Sequence, residues 1–299
     1  MLPVCTLKIL EMYSDKNHPL KQKDIIRLLK DNYNLVIERK ALGRIISDLQ
    51  ELDYDICYHK GYYLEERYFT RSELDFLIDS ILASTSLTDK LAASLVKKLI
   101  SKESNYQKRK YTHLYNISHI THGANPDFFY TIECINDAIE QGKKISFDYL
   151  SYGLDKKLHK KRERKYIVNP YDKIISQGRY YLIGNYDKYD NISHYRIDKI
   201  ANIEILDENV KPVNTLPSYH HGLQYSLHFL EHIYMFSGES KWVKLKFKNQ
   251  IVDQIIDWFG MECTIEPLNE EESLLKVKVN MQALHFWLKQ YDQFVEFIE

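Results

Sequence analysis

The sequence predicts an α+β protein built from several domains. Residues 4–101 carry apolar positions at helical spacing, whereas residues 143–200 alternate between apolar and polar positions as strands do. Residues 241–299 combine both patterns in the order β-α-β-β-α-β. At 299 residues the chain is long enough for two or three domains with cores of their own.

Composition describes an ordinary globular protein, with 44% hydrophobic and 28% charged residues. We expect a cytoplasmic protein without a membrane segment, because no apolar run approaches the roughly 18 residues of a membrane helix and the amino terminus lacks a secretion signal. The four cysteines form no Cys-x-x-Cys pair, and the 12 histidines are interpreted as isolated residues. We therefore predict no metal site and no cofactor.

Charge is distributed unevenly along the chain, although the net charge is only −1. Residues 143–165 carry nine Lys or Arg against three acids, and residues 251–299 carry three against ten. Such separation predicts one region that faces polyanions and another that faces water or a basic partner. A solvated basic loop at 155–165 is the alternative for the first region.

The first 66 residues predict a winged helix-turn-helix. Helices are expected over residues 4–13, about 21–31 and 38–52, followed by a β-hairpin with strands near 54–58 and 62–65. In this fold the third helix enters the major groove of DNA and the wing touches the backbone or minor groove.

The third helix and the hairpin resemble those of DeoR-type DNA-binding domains. This resemblance implies a double-stranded DNA operator as partner, with contacts from Arg39, Lys40, Arg44, Ser47, Gln50 and, at the hairpin tip, Lys60. Residues 1–66 contain ten basic and eleven acidic residues, so we expect binding to depend on a dimer with two half-sites. A winged helix used only for protein contact is the alternative.

Residues 67–141 predict a helical linker. Thr70 or Ser72 starts one helix as N-cap, a second runs over about 88–101, and a third begins at Asp127 and ends at Gly142. The first two helices are apolar along one face, so we expect them to form a dimer contact.

Five strands are predicted between residues 143 and 200, and five strands in about 60 residues suit a small barrel. They are expected at 144–149, 164–170, 173–176, 179–183 and 194–200. Alternation places Tyr181 on one face with Arg179 and Ile183. In the last strand, it places Arg196 and Asp198 on one face.

An arginine and a tyrosine on adjacent strands can form a site for an anionic or planar ligand. The guanidinium of Arg196 would supply donors and the ring of Tyr181 a stacking surface. The alternative is a core tyrosine beside an arginine that pairs with Asp198 or Glu204.

Two motifs in this stretch resemble the WYL domain of bacterial transcriptional regulators. Tyr180-Tyr181-Leu182 stands where the family has Trp-Tyr-Leu, and Arg196-Ile197-Asp198-Lys199-Ile200 stands where it usually has Arg-Leu-Asp-Arg-Ile. The first difference keeps an aromatic ring. The second keeps the charge, but Lys199 lacks the planar bidentate fork of arginine.

The resemblance implies a homodimeric DNA-binding transcriptional regulator that senses an anionic ligand, such as a nucleotide or short nucleic acid. It implies a winged helix-turn-helix at 1–66, a linker at 67–141, an Sm- or SH3-like WYL barrel at 142–206, a connector at 207–240 and a ferredoxin-like, WCX-like extension at 241–299. The expected ligand-binding residues are Tyr181, Arg196, His194, Lys199, Tyr149 and Arg164.

No enzymatic activity is expected. The sequence contains no Gly-x-x-x-x-Gly-Lys-Ser/Thr loop, no Gly-x-Gly-x-x-Gly and no Gly-x-Ser-x-Gly elbow. A nucleic-acid-processing enzyme or a protein-binding module that uses the WYL barrel as a platform remains the alternative.

Overall fold

The protein combines α-helices with three antiparallel sheets in the part of the chain that the structure describes. This computed structural model describes residues 1–65, 67–111 and 125–298. Residues 66 and 112–124, which the predicted DNA-binding and linker segments include, lie outside it. The chain divides into two compact units, Met1–His122 and Gly123–Glu299. No helix among the described residues has the length and apolar character needed to cross a bilayer.

The first unit contains six helices and a hairpin among its described residues. These are α1 (Leu2–Tyr13), α2 (Gln22–Tyr33), α3 (Arg39–Glu51), β1 (Ile56–Tyr58), β2 (Tyr62–Leu64), α4 (Arg71–Ala83), α5 (Asp89–Ser101) and α6 (Asn105–Lys110). The helices expected at 4–13, 21–31 and 38–52 are confirmed within two residues, whereas α6 was not predicted. Thr70 caps α4 in a capping box with Glu73, as its spacing predicted.

The apolar stripes of α1, α2 and α3 meet in one core because each helix carries its apolar residues on one face. Fully buried side chains from the three helices include Ile9, Leu10, Ile25, Leu29 and Leu42. The two strands of the hairpin close this core with Ile56 and Leu64.

The hairpin is tied to the loop between α1 and α2. The amide of Leu20 donates to the oxygen of Tyr62 at 2.8 Å, and the amide of Tyr62 donates back at 2.7 Å. Gly61 allows this approach, because a Cβ at that position would lie 2.8 Å from the oxygen of Leu20. The turn residue Lys60 has a φ of +60°.

Polar contacts hold α6 and the segment before α4 against the first three helices. The Arg67 guanidinium donates to the backbone oxygens of Glu11 at 3.0 Å and Ser14 at 2.7 Å. The ring of Tyr106 stacks on His18 with centroids 3.7 Å apart. The helical segment after the hairpin is therefore packed against the predicted DNA-binding domain within one unit.

The second unit begins with α7 (Phe128–Gln141), which ends at Gly142 in the left-handed conformation, as predicted. Six strands follow: β3 (Lys143–Tyr152), β4 (Leu158–Lys160), β5 (Tyr166–Ser176), β6 (Arg179–Tyr186), β7 (Ile192–Arg196) and β8 (Ile200–Asn209). Their order is β4-β3-β5-β6-β7, and β8 pairs with β3.

Three strand predictions were wrong in detail. The two strands expected at 164–170 and 173–176 are the single strand β5, which has a register shift between Pro170 and Asp172. The strand expected at 194–200 ends at Arg196, because Ile197–Lys199 form a 3₁₀ turn before β8 begins. Strands β4 and β8 were not predicted.

Buried polar contacts fix β5 against β6. The side-chain amide of Asn169 donates to the Oδ1 of Asn185 at 3.0 Å, and Asn185 donates in turn to the oxygens of Tyr189 and Asn191. Neither asparagine is exposed, so both side chains depend on these partners. The network holds the β5–β6 pair and the turn that leads to β7.

The second unit ends in a four-stranded sheet and three helices. Its elements are α8 (Tyr225–Glu231), β9 (Ser240–Lys248), α9 (Val252–Phe259), β10 (Thr264–Pro267), β11 (Glu272–Asn280), α10 (Met281–Gln290) and β12 (Val295–Phe297). The predicted β-α-β-β-α-β order from β9 onward is confirmed, with sheet order β10-β11-β9-β12. Its core includes the fully buried Trp287, Phe247 and Phe259. Helix α8 was not predicted.

We predict that Gly184→Ala destabilises the second unit by about 1 to 3 kcal/mol, as overpacking of a core does. The added Cβ would lie 2.6 Å from the Cγ1 of Val168 and 2.9 Å from the oxygen of Asn169. Urea unfolding followed by circular dichroism measures this change.

Gly43→Ala is the control for this prediction. Gly43 lies inside α3 and a Cβ there would meet nothing within 4 Å. Because alanine favours helices, this change should leave stability unchanged or raise it by up to about 1 kcal/mol. Equal stability of Gly184→Ala and the unmodified protein would contradict the tight β5–β6 contact.

Candidate functional site

Strand pairing brings the predicted tyrosine and arginine together. Tyr181 on β6 lies directly opposite Arg196 on β7, and Ile183 lies opposite His194 in the same register. Tyr181 and Arg196 are both partly buried. Directly opposite residues on neighbouring strands have their side chains on the same face, so the phenol and the guanidinium are neighbours.

Asp198 orients the guanidinium of Arg196. Its carboxylate accepts from Nε at 3.0 Å and from Nη2 at 2.6 Å, which is a bidentate pair. The predicted shared strand face was wrong, because Asp198 lies in the 3₁₀ turn after β7, yet the turn still returns its carboxylate to Arg196. Burial acts to lower the pKa of Arg196, but the hydrogen bonds and charge of Asp198 outweigh it and raise that pKa.

Further cations surround this pair. Burial lowers the pKa of Lys199, and the charges of Arg196, Arg179 and Lys161 lower it further. Burial likewise raises the pKa of Tyr181, which Arg196 and Arg179 oppose. Asp198 is the one carboxylate that acts on the pKa of Lys199 and on that of Tyr181. Because two arginines act on Tyr181 as well, positive charge exceeds negative charge around its ring. An anion placed there would gain from several donors at once.

We call Tyr181, Arg196, Lys199 and Arg179 the cationic cluster. The ammonium of Lys199 also lies 5.6 Å from the ring centroid of Tyr152, so an exposed aromatic ring borders the cluster. Such a surface suits a ligand that combines negative charge with a flat ring.

Three predicted ligand residues lie elsewhere or have structural roles. The Tyr149 hydroxyl accepts the amide of Arg196 at 3.1 Å, its ring packs on Phe147 and Tyr195, and burial raises its pKa to about 12. Arg164 is exposed, and its backbone oxygen accepts from Arg162. His194 turns to two other histidines, with its Nε2 2.7 Å from the Nε2 of His228.

Arg179, Lys161 and Tyr152 were not predicted as site residues. Alternation had placed Arg179 on the face of Tyr181, so that signal was present in the sequence. Tyr152 ends β3 and Lys161 directly follows β4. Because β4 was not predicted, the sequence did not indicate that the β3–β4 hairpin brings these two residues to the site. The same hairpin holds Arg162, whose guanidinium carbon lies 3.4 Å from the ring centroid of Tyr166.

The predicted DNA contacts lie along one exposed face of α3. Arg39, Lys40, Arg44, Ser47 and Gln50 are all exposed, as is Lys60 at the hairpin tip. Gln50 already has a structural partner, because its side-chain amide donates to the oxygen of Ile56 on β1 at 2.6 Å. This bond fixes the start of the hairpin relative to α3. The three cations of α3 are therefore stronger candidates for DNA contacts than Gln50.

Comparisons with known proteins identify the domain that contains the cationic cluster. Residues 131–205 match the family model described as WYL domain, so the chain contains a WYL domain. No curated protein matches. One matching solved structure is Proteasome accessory factor B/C (PafBC) of Arthrobacter aurescens, at 16% identity and a TM-score of 0.32, covering 99% of this chain and 45% of that one. The chain thus spans about half the length of that protein, and a TM-score this low carries no conclusion about function.

We predict that Asp198→Asn lowers stability by about 2 to 4 kcal/mol, because it leaves the charge of Arg196 partly buried without its partner. Asp198 has a side chain only 4% exposed, and that of Arg196 is 21% exposed. Urea unfolding measures the loss.

The matched control is Glu204→Gln. Glu204 pairs with Lys165 at 2.8 Å, but its side chain is 64% exposed, so its loss should lower stability much less than the loss of Asp198 does. Equal costs for the two substitutions would show that the Arg196–Asp198 pair is as weak as a surface pair.

Proposed function

We propose that the chain is a homodimeric DNA-binding transcriptional regulator whose WYL domain senses an anionic ligand, such as a nucleotide or short nucleic acid. The observation that carries the proposal is the cationic cluster in a matched WYL domain, where Tyr181 and Arg196 face each other across two strands. A planar ring beside several cations can stack a base and bind a phosphate.

DNA binding is assigned to residues 1–66 as a winged helix-turn-helix. The order α1-α2-α3-β1-β2, with the hairpin clasped to the α1–α2 loop, supports this assignment. The exposed cations Arg39, Lys40 and Arg44 on α3 would enter the major groove, and Lys60 would contact a phosphate.

Dimerisation is assigned to the helical segment 67–141. Phe76 on α4 is 72% exposed, while Leu74 and Ile78 on the same helix are buried in the unit's own core. A large aromatic ring exposed on a helix between a reading domain and a sensing domain suits contact with a second copy. Two copies would also contact two half-sites of the operator at once, which a DNA-binding domain without net positive charge needs.

The remaining assignments follow the WYL match. Residues 142–206 are proposed to form a small Sm- or SH3-like barrel, 207–240 a connector and 241–299 a ferredoxin-like, WCX-like extension. The sheet order β10-β11-β9-β12 together with α9 and α10 supports the last of these. Cytoplasmic location and the absence of enzymatic activity are part of the proposal.

The first experiment is binding of the purified protein to DNA upstream of its own gene, measured by fluorescence anisotropy at moderate salt. Specific binding with a footprint of two half-sites supports the regulator. Turnover of a nucleotide or oligonucleotide that persists through purification would favour a nucleic-acid-processing enzyme instead. Binding of a protein partner through the WYL domain would favour a protein-binding module.

We predict that Arg44→Ala weakens binding to that DNA by about tenfold or more, because one base or phosphate contact contributes about 1 to 3 kcal/mol. The control is Lys289→Ala, which removes an equal charge from an exposed position of α10, outside the segment assigned to dimerisation. Equal effects of the two substitutions would indicate attraction by overall charge rather than contact by α3.

We also predict that Arg196→Gln leaves DNA binding within about twofold while it removes the response to mononucleotides and short oligonucleotides, because the lost charge sits in the sensing domain. The control is Lys289→Gln, an exposed position of α10. Anisotropy with and without these nucleotides measures both effects. If Arg196→Gln impairs DNA binding as much as Arg44→Ala does, reading and sensing are not separate.

A further inference from the structure

Three histidines, two of them buried and one partly buried, meet in the second unit, where β7 faces α8. They are His194 on β7, His228 on α8 and His232 directly after it, with ring centroids 4.4 to 5.1 Å apart. His228 and His232 are 4% and 3% exposed. Their spacing of four residues is visible in the sequence, and the sequence interpretation of isolated histidines overlooked it.

The hydrogen bond between His194 and His228 requires that at least one of the two imidazoles is neutral. The Nε2 atoms of His194 and His228 lie 2.7 Å apart, so one carries a proton and the other a lone pair. If both rings were cationic, both nitrogens would carry protons and repel. His232 uses its Nδ1 to donate to the oxygen of Phe236 at 2.9 Å, since a carbonyl oxygen only accepts.

The histidines join the WYL domain to the segment that follows it. On the same outer face of β6 and β7, Ile183 and Ile192 pack against Leu216, Tyr219 and Leu223 of the connector. A cleft of about 540 Å³ borders His228 and His232, so solvent reaches the edge of the cluster. Residues 213–235 are thus held on β6–β7 partly by apolar contacts and partly by imidazoles.

Charges around the cluster do not compensate a protonated ring. Burial lowers the pKa of His194 well below its usual value, and the neighbouring His228 and His232 lower it further. Burial lowers the pKa of His228 to about 3 and also lowers that of His232. The nearest carboxylate, on Glu231, is bound to Lys278 at 2.9 Å. The titratable and charged groups facing the cluster or the cleft are Tyr219, Glu231, Lys278, Asp190, Glu239, His220 and His221.

We propose that His194, His228 and His232 form an acid-sensitive latch that holds residues 213–235 against β6 and β7 at neutral pH and releases them when the imidazoles take up protons. The latch rests on the contacts of these side chains and not on the proposed DNA-binding function. His194 and Arg196 are two residues apart on β7 and share a face, so release of the latch would act beside the proposed ligand site. That effect on ligand sensing rests on the proposed function.

The direction of the effect follows from linked protonation. Released histidines have pKa values near 6.5, whereas burial lowers the pKa of docked His194 and His228 far below this value and also lowers that of His232. Docking is therefore fully stable above about pH 7 and weakens as the pH falls through about 6.5. From pH 7 to 6 the release equilibrium rises about threefold for each histidine, and about 30-fold if all three respond.

A search for bound metal separates the latch from a competing role of the same rings. Among the described residues, no three His, Cys, Asp or Glu side chains are arranged to hold a metal ion. Elemental analysis of the purified protein supplies the direct test. Stoichiometric zinc or another transition metal that is lost on His228→Gln would overturn the latch, since metal-bound imidazoles do not take up protons in this range.

Hydrogen exchange of the full chain tests the latch. Protection factors of residues 213–235, corrected for intrinsic exchange, are compared at pH 7 and pH 6 with those of α1–α3 in the other unit. We expect protection of residues 213–235 to fall by up to about 30-fold and that of α1–α3 to stay constant. An unchanged ratio between pH 7 and 5 would overturn the proposal.

Two variants assign the response to the histidines. His228→Gln should make the change about threefold smaller, because one protonation is lost. His285→Gln, at an exposed position of α10, should respond as the unmodified protein does. Because the measured quantity is the pH dependence, a general loss of stability in a variant does not imitate the result. Identical pH dependence in all three proteins would overturn the latch.

Discussion

The register of β6 against its two neighbours positions both clusters of the second unit. It sets Tyr181 opposite Arg196 and Ile183 opposite His194. Because side chains alternate along a strand, a slip of one residue would send all four to the other face of the sheet. The register is held on the β5 side by the buried Asn169–Asn185 contact and by Gly184, which has no room for a side chain.

The local charge around Tyr181 in the WYL domain differs in sign from the charge of the whole chain. The chain has a net charge of −1, yet Arg179 and Arg196 lie around Tyr181, and Lys199 lies near both arginines. Asp198 neutralises part of this charge and also holds Arg196 in a defined orientation. Its carboxylate therefore has two roles, since it lowers the local positive charge and also fixes the guanidinium.

Strand β7 carries a charged side chain, Arg196, and a neutral imidazole, His194, two residues apart. At Arg196 the charge is permanent and paired, whereas at His194 burial keeps the imidazole neutral. Each arrangement depends on desolvation, which penalises an unpaired charge and so demands a partner or a neutral ring. His194 contacts His228 and His232, so a change that loosens residues 213–235 would expose the imidazole of His194.

The sequence by itself determined most of the helices and strands, the β-α-β-β-α-β order of the last segment and the neighbouring positions of Tyr181 and Arg196. Helical and alternating periodicity report which face of an element is buried, and Thr70 and Gly142 mark helix ends through local backbone chemistry. Only the tertiary structure decided that β7 stops at Arg196, that β4 brings Lys161 and Tyr152 to the site, and that His194 turns to His228 and His232. These outcomes depend on contacts between residues far apart in the chain, whose geometry no local pattern encodes.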